Sequence, residues 1–151
     1  MPPPLRYDLV RAMYRKAAIR PYRVDDEPLL FGLASRVFGE MPGWHDRRIL
    51  DVLESDVVFV AEVEGTMAGY EALERAEVAV RIEQLLVCPE HDDEGVGEQL
   101  LAYAEGYAIS LGAPRLEAVV EPENVTAFAF YRERGFVPAG PDLLELVLPQ
   151  R

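Results

Sequence analysis

The sequence predicts one mixed α/β (α+β) domain. Three observations predict it: apolar segments that alternate between strand-like and helical periodicity, a glycine-marked joint where a strand turns into a helix, and a composition sufficient for one core. The chain has 151 residues, 50% hydrophobic and 28% charged, which suits a single domain with a substantial interior and excludes both a disordered tail and a pair of domains. No internal repeat, linker or low-complexity tract interrupts it.

The elements follow in order. Behind the leader Pro2-Pro3-Pro4, Leu5, Leu9 and Met13, with Val10 and Tyr14 beside them, fall on one side of a helical wheel. They predict an N-terminal helical extension over residues 1–16, ahead of a domain over 17–151. Residues 17–22 read as a first strand. Asp25-Asp26-Glu27-Pro28 is an acidic, proline-bearing helix start that suits the positive end of the helix dipole, and Leu29, Leu30, Leu33, Val37 and Phe38 supply the apolar face. After the Met41-Pro42-Gly43 break, Asp46 is expected to cap a second helix with Ile49, Leu50 and Leu53 inward. Residues 57–73 read as two strands around a turn at Glu64-Gly65, and 78–87 as another long strand. From 95 to 111 the apolar residues Val96, Leu100, Leu101, Ala104, Ala108 and Leu111 recur at helical spacing, with Gly112 placed as a C-terminal stop. A strand over 115–121, a short helix over 124–134 ended by Gly135, and strands at 136–137 and 143–148 complete the chain.

Composition narrows the chemistry. Fifteen Lys and Arg against twenty-seven Asp and Glu give a formal charge of -12, the wrong sign for generic nucleic-acid binding. One cysteine, Cys88, excludes an internal disulfide and a cysteine-cage zinc site and suits a cytoplasmic protein. Apolar runs are too short to span a membrane, and the charged N-terminus lacks the apolar core of a secretory signal. No serine sits in a G-x-S-x-G elbow, and His45 and His91 are not spaced as a helical metal pair, so no metal is implied.

Two segments carry chemistry. The first, IEQLLVCPEHDDEGVGEQLL over 82–101, is a strand, a proline, a loop, two glycines one residue apart, and a helix. Such a joint leaves first-turn amides pointing outward, and Gly95 and Gly97 admit a phosphate to the backbone; alone, it is equally a tight turn. The second, ENVTAFAFYRERGF over 123–136, sets Asn124, Ala127 and Tyr131 along one helical stripe, which suits a ligand face or a capped helix with core contacts.

Together the segments resemble the GNAT superfamily of acyl-CoA-dependent N-acyltransferases. Its strand-P-x-x-[RQ]-x-x-G-x-[GA]-helix segment is met by Pro89, Gly95 and Gly97, and its N-x-x-A-x-x-x-Y-x-x-x-G-F segment by Asn124, Ala127, Tyr131, Gly135 and Phe136. The resemblance implies a mostly antiparallel central sheet flanked by helices, with two strands splayed at the cofactor site. It implies acetyl-CoA as acyl donor: Leu85, Leu86 and Val87 alongside the pantetheine arm, the amides around Gly95, Val96, Gly97 and Glu98 at the pyrophosphate, Asn124 on the cofactor arm, and Tyr131 as proton donor to the departing thiolate. The reaction implied is direct attack of a primary amine, on a small molecule or a peptide, and homodimers are common among such proteins. Attack needs a proton acceptor; Glu83, on the strand entering the site, and Glu121, at the end of the neighbouring strand, are both candidates.

The chain departs from the pattern at Asp92, Asp93 and Glu94, where the family usually carries arginine or glutamine, then often glycine and a basic residue. At ~5 Å and an effective dielectric near ~20, each carboxylate would repel a phosphate by roughly 3 kcal/mol before screening. Either backbone amides, helped by Arg132 or Arg134, still hold the cofactor, or the chain is a GNAT-like scaffold that binds a partner or small molecule without acyl transfer; the enzyme is the favoured expectation. The net charge would draw cationic amines, although solubility explains it as simply. The acceptor is expected near residues 38–45, where Trp44 and His45 sit, and near the Glu64-Gly65 turn.

Overall fold

The computed structural model describes residues 16–39, 41 and 43–150. The helix expected over 5–15, and the extension over 1–16 built on it, falls almost wholly outside them. In chain order run β1 (Ala18–Pro21), α1 (Glu27–Phe38), α2 (Asp46–Ser55), β2 (Val57–Val63), β3 (Thr66–Arg75), β4 (Val80–Val87), α3 (Val96–Ser110), β5 (Arg115–Val119), α4 (Val125–Glu133), β6 (Val137–Gly140) and β7 (Leu143–Val147).

The strands form one seven-stranded sheet in the order β1-β2-β3-β4-β5-β7-β6. Every neighbouring pair is antiparallel except β4 and β5. Apolar residues occupy both parities of the central strands because both faces are covered. Leu30, Leu33 and Phe38 of α1 and Ile49 and Leu53 of α2 pack with Val58, Val60, Tyr70 and Leu86 on one face. Leu101, Ala104 and Ala108 of α3 and Tyr131 of α4 pack with Phe59, Leu73, Ile82 and Leu116 on the other. The sheet flanked by helices agrees with the expected architecture.

Turn chemistry behaves as the sequence suggests. Glu64 and Gly65 take φ of 54° and 79°, the left-handed pair that matches the twist of a tight hairpin, while Gly112 and Gly135 end their helices at φ of 74° and 95°. Two local expectations need correction. His45, not Asp46, caps α2: its backbone is extended and its Nδ1 accepts from the Arg48 amide at 3.3 Å, whereas Asp46 is already helical. Leu29 is 60% exposed and not part of the apolar face of α1. The helix begins only at Glu27, after a single 3-10 turn at Val24–Asp26, and its buried stripe is Leu30, Leu33, Ala34 and Phe38. That turn is fixed by Asp26, whose carboxylate takes a two-pronged bond from Arg20 at 2.7 and 2.8 Å and another from the Arg23 amide at 2.7 Å.

Candidate functional site

The site begins where a hydrogen-bond ladder ends. β4 and β5 pair at Val80↔Leu116, Arg81↔Glu117 and Ile82↔Ala118 and no farther, although β4 continues to Val87. On the opposite side of β4 the register with β3 jumps from Leu73↔Ile82 to Ala72↔Gln84, leaving Glu83 as an extra, bulged residue. A bulge adds twist and bends its strand. It also changes which way the strand faces: Ile82 packs under α3, whereas Gln84 meets Tyr70 and Leu86 packs under α1 and α2.

Between the diverging strands lies a cleft of about 1200 Å³. Glu83, Leu85, Leu86, Val87, Gly95, Val96, Gly97, Glu98, Asn124 and Tyr131 all line it. One end is the start of α3. Gly95, at φ 79°, is its N-cap and offers no side chain to the first-turn amides. A Cβ on Gly97 would meet the Phe130 ring at 3.4 Å and Val87 at 3.6 Å, closing space that glycine leaves open. An uncapped helix start between two glycines, beside a strand edge released from its neighbour, fits an extended ligand carrying phosphates.

The acidic loop borders this end. Asp92 and Asp93 are exposed and line the cleft, with Asp93 held in the left-handed region at φ 69°. Glu94 is turned to His91, at 2.6 Å from Nδ1. Of the two arginines considered, Arg134 lines the cleft, lies 3.9 Å over Phe130 and pairs with Glu98 at 3.3 Å. Arg132 instead donates to the Phe136 carbonyl at 2.9 Å and is not part of the lining. Asn124 caps α4, its Oδ1 accepting from the Ala127 amide at 3.1 Å, so its amide NH₂ is the end left for a ligand.

The other end is buried and rich in protonatable groups. Tyr131 is 5% exposed, gripped edge-to-face by Phe136 and Phe130 at 5.1 and 5.2 Å between ring centres. Burial, and after it the neighbouring Glu71 carboxyl, raises its pKa, so the phenol keeps its proton. Glu83 is half-buried; burial and then the neighbouring Glu74 carboxyl push it up to about 7, against the weaker pull of Arg81. Glu121 also lines the cleft but is engaged: Trp44 Nε1 donates to it at 2.8 Å and Arg48 lies 3.7 Å away. Trp44 itself is buried, stacked on Phe38 at 4.4 Å and under the Arg48 guanidinium at 3.6 Å. Thus Phe38 and Met41 reach the cleft from the connection between α1 and α2, whereas Trp44, His45 and the Glu64-Gly65 turn do not.

Two polar residues here escaped sequence reasoning. Gln84 lines the cleft and accepts from the Tyr70 hydroxyl at 2.5 Å, its Nε2 left unpartnered. Glu71, on β3, is fully buried with neither carboxyl oxygen bonded. Alternation along β3 and β4 assigns Glu71 and Gln84 to ordinary strand positions, and only the coverage of both sheet faces makes them notable. A smaller apolar hollow of about 260 Å³ lies beside the cleft, between α4 and the β6–β7 turn, lined by residues such as Pro122, Phe128 and Pro141.

Comparison with known proteins meets this geometry. A model of the acetyltransferase (GNAT) family matches residues 14–136. No curated protein matches the sequence. Among solved structures, the chain is similar to the PaiA N-acetyltransferase of Thermoplasma acidophilum in complex with coenzyme A, with TM-score 0.70 and 19% identity over 87% of this chain and 99% of that one. It is similar to the ribosomal-protein-S18-alanine N-acetyltransferase of Escherichia coli, with TM-score 0.72 and 20% identity over 89% and 94% of the two chains. The N-acetylglutamate synthase of Neisseria gonorrhoeae, complexed with coenzyme A and N-acetyl-glutamate, gives TM-score 0.75 and 22% identity over 89% of this chain but 36% of that one.

Proposed function

The chain belongs to the GNAT acetyltransferase family, and from that premise we propose that it is an acetyl-CoA-dependent N-acetyltransferase acting on a primary amine by direct attack. The observation that supports this best is the parting of β4 from β5 after Ile82↔Ala118, which joins an uncapped helix start to a buried phenol through a single cleft.

Acetyl-CoA supplies the acetyl group as an activated thioester. Main-chain groups of Leu85, Leu86 and Val87 hold the pantetheine arm. Amides of Gly95, Val96, Gly97 and Glu98 hold the diphosphate at the positive end of α3, and Arg134 adds a nearby cation. Asn124 contacts the arm through its amide nitrogen. At the reacting end Glu83 removes the proton from the incoming ammonium, directly or through one water, and Tyr131 gives its phenolic proton to the sulfur that leaves. Glu83 serves better than Glu121 as the base, because Glu121 is committed to Trp44 and Arg48. The acceptor reaches the cleft past Phe38 and Met41. Acetyl-CoA as donor and the single thiol Cys88 both suit a cytoplasmic setting.

Calorimetric titration of the purified chain with acetyl-CoA and with free CoA, at low and moderate salt, tests the reading. Saturable binding in the micromolar range is expected, followed by thiol release in a screen of primary amines that includes polyamines and peptides with free N-termini. Absence of binding at millimolar cofactor would sink it and leave a scaffold that performs no acyl transfer.

A further inference from the structure

The cleft carries two hydrogen-bonding groups that the proposed reaction does not use. Gln84, on β4, lines the cleft yet is only 2% exposed, and its Nε2 has no partner. Its orientation is fixed by Tyr70, which is fully buried and whose hydroxyl donates to Gln84 Oε1 at 2.5 Å. A reversed amide would leave that O–H without an acceptor, so the end of Gln84 that remains for a ligand is a donor. A buried N–H without a partner carries its full desolvation cost until an oxygen is placed against it.

Across the gap stands Glu121, two residues beyond the end of β5, where the ladder with β4 has already parted after Ile82↔Ala118. Trp44 Nε1 and Arg48 both approach its Oε1, at 2.8 and 3.7 Å, and hold the carboxylate in place. Oε2 is the oxygen that remains to accept. A donor on one strand thus faces the same cleft as an acceptor beyond the other, with Glu83 next to Gln84 and the apolar Phe38 and Met41 among the lining. One chemical unit matches both: a trans peptide group, whose carbonyl oxygen and N–H point in opposite directions.

We propose that Gln84 and Glu121 select a free peptide N-terminus as the acceptor. The Gln84 amide donates to the first peptide carbonyl, Glu121 accepts from the N–H that follows it, and the α-amine comes to Glu83. The proposal rests on the reading of the chain as an acetyltransferase. A protonated polyamine brings only donors and leaves Gln84 unpaired. A free amino acid brings a carboxylate that Glu121 repels, and a plain alkylamine pairs with neither group.

The test uses thiol release from acetyl-CoA, with rates corrected to the neutral amine. The parent should favour alanine N-methylamide over 2-aminopropane and over 1,5-diaminopentane by roughly 100-fold in kcat/KM, because those amines leave the buried N–H unpaired. Alanine N,N-dimethylamide, which lacks the peptide N–H, should fall roughly tenfold below the N-methylamide. Gln84→Met should collapse the first ratio to within a few-fold, and Glu121→Ala the second. Equal turnover of these acceptors by the parent, a preference for the diamine, or ratios that survive the two substitutions would overturn the proposal. A readout without turnover comes from nuclear magnetic resonance, since the chain has three glutamines and one asparagine and hence four side-chain amide pairs. The Gln84 pair, assigned by its loss in Gln84→Met, should shift on addition of alanine N-methylamide and stay in place with 2-aminopropane; an unmoved pair refutes the contact. Failure of the acetyl-CoA titration would instead reject the enzyme reading, and the amide resonances would still decide whether the cleft receives a peptide group at Gln84.

Discussion

The same side-chain chemistry meets the two ends of the cleft under opposite conditions. At the start of α3, Asp92 and Asp93 stand in solvent, where water and salt screen their charge. At the far end, Glu71 is sealed in the sheet and Glu83 is half-buried beside Glu74, and both bind protons far more tightly than a free carboxyl. A carboxylate is thus a weakly felt surface charge in one region and a proton-handling group in the other. Position relative to the sheet, not residue type, makes the difference.

The sharpest way to break the contrast is at the buried end. Tyr131→Phe should reduce kcat by about 100-fold or more while calorimetric CoA affinity stays within about twofold; an unchanged kcat would remove the phenol from the chemistry. Glu83→Gln should cost roughly 10- to 100-fold in kcat and also alter the pH profile. Glu83 must be ionised to accept a proton, and it is pushed up to about 7, so activity should rise through that pH in the parent and lose this limb in the variant. A limb retained in Glu83→Gln assigns the base elsewhere.

Effects at the helix start should be smaller. Gly97→Val, which fills the space before Phe130 and Val87, should weaken CoA by roughly tenfold in calorimetry; equal affinity would mean the ligand does not approach there. Asp92→Arg with Asp93→Gly should tighten CoA a few-fold at low salt, with the gain fading at high salt. Asp93→Gly also relieves a left-handed residue at the position where the family pattern often has glycine. Stability carries the last test. Glu83, at about 7, and Asp56, at about 6, bind protons more tightly folded than unfolded, so the stability they contribute is complete below about pH 4 and is lost as pH rises to 7. The thermal midpoint should fall between pH 5 and 8, and less steeply in Glu83→Gln; a rise would contradict the burial of these groups.

Much of this was legible in the sequence. Helical spacing over 95–111, the stop at Gly112 and the Asn124-Ala127-Tyr131 stripe are local signals, and local hydrogen bonding realises them. What the residues could not reveal depends on neighbours distant in the chain. Glu121 reads as a free carboxylate until Trp44, 77 positions away, is seen to donate to it. Asp46 looks like the natural cap until the extended backbone at His45 assigns that part to the imidazole. Glu71 occupies an alternating position that would face water if only one side of the sheet were covered, and helices cover both. The place where β4 leaves β5 has no residue signature apart from the family motif, because a ladder ends by bending and not by composition.

The bulge at Glu83 also imposes a constraint on chain length. With one residue fewer in β4, Gln84, Leu86 and Cys88 would rotate from the α1–α2 side of the sheet to the α3 side, and Leu85 and Val87 would rotate the opposite way. Substitution at position 83 exchanges one carboxylate for another side chain. Deletion there would turn the whole wall of the cleft inside out, so this strand tolerates variation in spelling but not in count.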